Sequence, residues 1–246
     1  MALATASMLA ADAPSFSGSW KLNMTKSQIN GQTMTLEKTA SGLMHFDSEG
    51  FGYDFDLAGN QFPTPDGGTA AWVETSATNW EGTNWMSGKV IGTYSMSLTG
   101  DSITFSMKLK KGDGSVVEQT ATETRVSGGP GFLGKWKSTE MKGAPTSVEI
   151  AVKGRRGITI KYPEFHQVCK GRFDAKEYPV TEAGRVSKFT IVFERTGPNA
   201  FKMTTNLSGK PFYVDVLTLS SDGQTLTDDG NAVSVDEPVK SVYDRQ

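Results

Sequence analysis

Apolar and polar residues alternate with period two along most of the chain, the pattern of half-buried strands. Phe51, Tyr53, Phe55 and Leu57 alternate with Gly52, Asp54 and Asp56, and Ile103, Phe105, Met107 and Leu109 with Ser102, Thr104, Ser106 and Lys108. Val90, Tyr94, Met96 and Leu98 share one parity around Gly92. Further on come Ile158, Ile160 and Tyr162, then Phe165, Cys169 and Phe173, then Phe189, Ile191 and Phe193, then Phe201, Met203 and Leu207. Gly59-Asn60, Pro65-Asp-Gly67, Gly112-Asp-Gly114 and Asp222-Gly223 punctuate these runs as turns. No long window carries a helical period. The pattern predicts an all-β protein of antiparallel strands, which must close or stack because open edges invite aggregation.

The strands fall into two copies. Phe16-Ser-Gly18-Ser-Trp20-Lys21 recurs as Phe132-Leu-Gly134-Lys-Trp136-Lys137, and Phe62-Pro63 as Tyr178-Pro179, both at an offset of 116. Ser87-Gly88-Lys89 matches Ser208-Gly209-Lys210, Leu98 matches Leu219, and Glu123-Thr-Arg125 matches Tyr243-Asp-Arg245. Landmarks in the same order predict homologous units at 14–127 and 130–246, each of about eight or nine strands, with Ser127-Gly-Gly-Pro-Gly131 as a short turn-type joint.

Phe-x-Gly-x-Trp before the first strand, with an arginine ending the last, resembles the lipocalin or calycin signature. The resemblance implies two tandem up-and-down β-barrels, each plugged at one end by a tryptophan under an arginine. Within contiguous units the pairs are Trp20 with Arg125 and Trp136 with Arg245. Trp20-Lys-Leu-Asn23 followed by Lys26-Ser27 is also similar to a group of uncharacterised bacterial exported proteins, a likeness that brings no chemistry with it.

Composition narrows the function classes. The 246 residues carry 25 basic and 27 acidic side chains, net −2, without the basic excess of a nucleic-acid binder. One cysteine, Cys169, excludes an intrachain disulfide and a Cys-rich zinc site, and two histidines, His45 and His166, leave little for a His-based metal site. No metal or cofactor is expected: P-loop, Gly-x-Gly-x-x-Gly and Gly-x-Ser-x-Gly motifs are absent. No stretch reaches the roughly 18 apolar residues of a membrane helix. Residues 1–13, small and apolar with Ala11 and Ala13 in an Ala-x-Ala pattern, read as a tail or the remnant of an export signal, which suggests a secreted or periplasmic protein.

Three functional readings follow, the third being a structural or interaction module whose barrels are filled. The first is binding of a small, partly apolar molecule in a barrel or between the barrels, with Trp72, Trp80, Trp85, Tyr94 and Met96 as the apolar wall and Tyr53 as a polar handle. The tryptophans and methionines (Met34, Met44, Met86, Met96, Met107) concentrated in the first unit favour a site there. The second is an enzyme of the cyclase, hydratase or isomerase type that folds one substrate between the barrels, a class the paired-barrel resemblance implies. Its acid–base candidates are Tyr162, Glu164 and His166. Parity places Phe165, Cys169 and Phe173 inward and His166 outward. His45 and Asp47 share a strand face and predict a solvated pair, and Asp228-Asp229 reads as a solvated hairpin loop.

Overall fold

A computed structural model describes residues 15–29, 31–143, 146–234 and 238–246, so the N-terminal run 1–13 lies outside the described residues. The described chain forms twenty antiparallel strands, from β1 (Gly18–Leu22) to β20 (Val239–Arg245), and one short 3₁₀ turn. They make two ten-stranded sheets. Each is two strands wider than the smallest barrel that side chains alone fill. None of the helical structure described is long and apolar enough to cross a membrane.

The first sheet runs from β2 (Thr33–Lys38) to β11 (Gly134–Gly143). It curls until the chain after β4 (Phe51–Phe55) meets β6 (Thr69–Ser76), where Gly59 N donates to Trp72 O and Glu74 N to Leu57 O. The second sheet is a closed barrel of β12 (Ser147–Lys153) through β20, completed by β1. β1 lies between β12 and β20, with Trp20 opposite Val148 and Arg245.

The barrels therefore cut across the sequence repeats. Each repeat gives its Trp strand to the other copy: β1 closes the second barrel, and β11 sits in the first sheet between β2 and β10 (Val116–Ser127). Residues 127–131, expected to join the two units, instead end β10 and enter the loop of the β10–β11 hairpin inside one sheet.

The exchange corrects the tryptophan–arginine pairs. Arg245 lies over Trp20 at 4.2 Å and Arg125 over Trp136 at 4.1 Å. Both indoles are fully buried, and each Nε1–H donates to the phenylalanine carbonyl four residues earlier, Phe16 at 3.0 Å and Phe132 at 2.9 Å. Each guanidinium also donates to backbone carbonyls: Arg245 to Ser15, Ser17 and Gly223, and Arg125 to Gly131 and Leu133. The motif glycine is required by close approach. A Cβ on Gly18 would fall 2.6 Å from Arg245 Nη1, and one on Gly134 2.2 Å from the Ser127 carbonyl.

These plugs mark the outer ends of the barrels; the other ends meet. Lys188 N donates to Asp66 O, Ser234 Oγ to Glu49 O, and Lys111 Nζ pairs with Glu164 at 3.0 Å. β1 is followed by β2 in the other barrel and β11 by β12, so the chain passes between the barrels twice, in opposite directions.

Candidate functional site

Where the barrels meet, an open cleft of about 920 Å³ lies between the β8 start (β8, Lys89–Thr99) and Lys110–Asp113 turn of the first barrel and β12, the end of β13 (Gly157–Tyr162) and β14 (Gln167–Arg172) of the second. The local chain explains its second wall. Pro163 starts the 3₁₀ turn Pro163–Phe165, with Tyr162 extended before it, as a residue preceding proline prefers, and His166 closes it in the left-handed region at φ 55°. This turn breaks the strand parity. Glu164 goes inside, and Phe165, expected inward, is among the exposed apolar residues; Cys169 is buried as expected. His166 reaches across to the carbonyl of Lys110 in the first barrel.

Two of the three acid–base candidates, Tyr162 and His166, line this cleft, while Glu164 is buried against Lys111 and Ser147 of its lining, and all three are engaged elsewhere. Glu164 accepts from Lys111 Nζ, from Ser147 Oγ at 2.9 Å and from Ser147 N at 3.1 Å. Burial alone would raise its pKa, yet Lys111 and these bonds hold it below the usual glutamate range. It is an ionised staple between the barrels. Tyr162 borders the cleft while packing on the second barrel's core, where burial and Asp215 push its hydroxyl well above the usual tyrosine range. His166 spends Nε2 on the Lys110 carbonyl.

The cleft offers a different chemistry. Val90, Ile91, Pro163 and Val168 supply apolar wall, and Lys89, Lys110, Lys111 and Lys161 supply ammonium groups. Lys111 is held by Glu164 and Lys161 by Glu149 at 2.9 Å. Lys89 and Lys110 are exposed, and neither enters an ion pair among the described residues.

Most of the predicted aromatic wall is core. Trp72, Trp80, Met96 and Tyr53 are buried in one cluster of the first barrel, with Tyr94 packed against it. Trp72 Nε1 donates to Tyr53 Oη at 3.0 Å, and Trp80 stacks on Phe132 at 4.1 Å. Burial raises the Tyr53 pKa to about 12. Trp85 does not join them. Five residues along β7 (Asn79–Met86) from Trp80, it lies on the opposite parity, and it borders an outer groove with Val73 and Thr83. Inside this barrel lies a cavity of about 160 Å³ beside Met34, Phe46, Phe105 and Met107, with Glu123 in its wall.

The polar groups that the sequence reading missed lie inside the barrels. Asp228 is not in a loop but within β19 (Thr225–Ala232), on the inward parity of Leu226 and Gly230, where it hydrogen-bonds Asp215 of β18 (Lys210–Leu219). Burial and mutual repulsion raise Asp215, so the pair shares a proton. Glu182 is likewise buried, with Gln167 Nε2 donating to it at 3.2 Å, and burial, with Asp66 adding to it, raises its pKa to about 7. The signal was parity: Asp215 shares the face of Leu217 and Leu219, and Glu182 that of Tyr178 and Val180. His45 also changes partner. Strand pairing sets it opposite Asp54, whose Oδ1 lies 2.6 Å from Nδ1, nearer than Asp47 two residues along the same strand.

Among the described residues no three His, Cys, Asp or Glu side chains gather as a metal site. No family model, curated protein or solved structure matches the chain.

Proposed function

We propose that the protein binds a small, partly apolar molecule bearing an acidic group in the cleft between its two barrels. The observation that carries this reading is the pairing of a cleft of about 920 Å³ with two ammonium groups, Lys89 and Lys110, that enter no ion pair among the described residues, beside apolar wall. The volume is that of an ordinary small-molecule site, roughly 300–1,000 Å³. Binding is passive: Val90, Ile91 and Val168 cover the apolar body, and the lysines meet the acid at the rim. This keeps the lipocalin-like reading of a carrier and moves its site from the aromatic core to the junction. The enzyme reading has less support, because Glu164 is consumed as a staple and Tyr162 packs on the barrel core.

The test uses 1-anilinonaphthalene-8-sulfonate and its uncharged analogue N-phenyl-1-naphthylamine, which lacks the sulfonate. Two exposed ion contacts of about 0.2–1 kcal/mol each predict a roughly tenfold loss of sulfonate affinity in K89Q/K110Q. Binding of the uncharged analogue and the melting temperature should stay unchanged. Equal sulfonate affinity in parent and variant would overturn the proposal.

A further inference from the structure

The first barrel's inner cavity holds a carboxyl group that no described residue answers. Its wall is Met34, Met107 and Met141 with Phe46 and Phe105, an apolar and polarisable lining. Into this wall β10 sets Glu123, on the inward parity of Val117 and Gln119. Glu123 is 8% exposed, and its Oε2 is buried with no hydrogen-bond partner. No lysine, arginine or histidine among the described residues pairs with it. The charge that acts on it is another carboxylate, Glu49, at the turn between β3 (Met44–Ser48) and β4. Burial and Glu49 together raise the Glu123 pKa to about 7.

An unanswered buried carboxylate is costly unless a partner neutralises it. A filled core would place a leucine or methionine there; instead a carboxylate faces open space. The lining specifies what completes it. Aromatic faces attract an organic cation, thioethers pack against its apolar or aromatic body, and a carboxylate is the strongest acceptor for an N⁺–H donor. The space of about 160 Å³ matches the roughly 150 Å³ that accommodates a benzene-sized ligand.

We infer that this cavity is a second site, separate from the cleft, which takes a small primary ammonium with an apolar body, its nitrogen on Glu123 and its body against Met34, Phe46, Phe105 and Met107.

The experiment uses the full chain with ¹³C-methyl methionine and two probes of one shape, benzylammonium and benzyl alcohol. Benzylammonium should shift the Met34, Met107 and Met141 methyl signals, leave Met203 of the second barrel unmoved, and bind at least tenfold tighter than the alcohol. In E123Q, with its fold verified by the same spectrum, that preference should shrink to about twofold. The inference is overturned if benzylammonium moves none of the three methyls, if the alcohol binds the parent equally well, or if E123Q keeps the full preference. Should E123Q fail to fold, the comparison of the two probes on the parent decides alone.

Discussion

At the residue scale the interior is unusual in keeping protons. Glu182 and Glu123 both have pKa values of about 7, raised first by burial and then by Asp66 and Glu49 respectively. Between an unfolded glutamate's ordinary value and about 7, the folded protein holds protons that the unfolded chain has released. This stabilisation is complete below the unfolded value and is lost as pH rises through about 7. The melting temperature should therefore fall from pH 5 to pH 8. Each retained proton contributes at most about 1.4 kcal/mol per pH unit. Glu182→Gln removes one such proton while the amide oxygen still accepts from Gln167, so the variant should show a flatter profile and melt above the parent at pH 8. A thermal scan across that range checks it, and an unchanged slope would assign the proton elsewhere. Glu164 and Asp244 act on the opposite limb. Lys26 and Asn23 hold Asp244 below the usual aspartate range, as Lys111 and Ser147 hold Glu164, so their contribution is lost only in more acid solution.

At the element scale, alternation made the strands legible, and the repeated landmarks proved to be equivalent places. Ser87-Gly88 and Ser208-Gly209 both turn their hairpins through two left-handed residues, at φ 56° and 74° and at φ 52° and 78°. What alternation did not reveal was which barrel each Trp strand joins. Both copies carry the same Gly-x-Trp-Lys, so either strand satisfies either arginine, and local sequence is neutral between contiguous and exchanged pairing. The inward acids were legible by the same parity rule, but a charge at an apolar position reads as a loop until the flanking strand is recognised. Trp85 was legible by that rule too, since five residues on one strand separate it from Trp80 and set it on the other face. A crosslink distinguishes the pairings directly. Lys21 lies opposite Asp244, as Lys137 lies opposite Thr124. Paired residues of antiparallel strands sit about 4.5–5.5 Å apart at Cα, within disulfide reach. Lys21→Cys with Asp244→Cys should oxidise to an intramolecular disulfide seen by mass spectrometry, and Lys21→Cys with Thr124→Cys should not. The reverse result would restore contiguous barrels.

At the scale of the whole molecule, strand exchange decides what can stand alone. The first barrel is one uninterrupted piece of chain, 33–143, whereas the second needs β1 from more than a hundred residues upstream. A cut at the sequence repeat, giving 14–127, removes β11. It leaves β2 and β10 as open edges, strips Trp136 from under Arg125, and empties the place where Phe132 stacks on Trp80. Loss of a buried tryptophan alone costs about 3–5 kcal/mol, a large share of the 5–15 kcal/mol that holds a typical domain together. A cut at 31–143 keeps all ten strands, the Trp136–Arg125 plug and the Glu123 cavity, and gives up only junction contacts such as Lys111–Glu164 and Ser234–Glu49. The fragment 31–143 should therefore give a dispersed amide spectrum and a cooperative melt, and 14–127 neither. If 14–127 folds and 31–143 does not, the strands are not exchanged, and the junction with its cleft must be built differently.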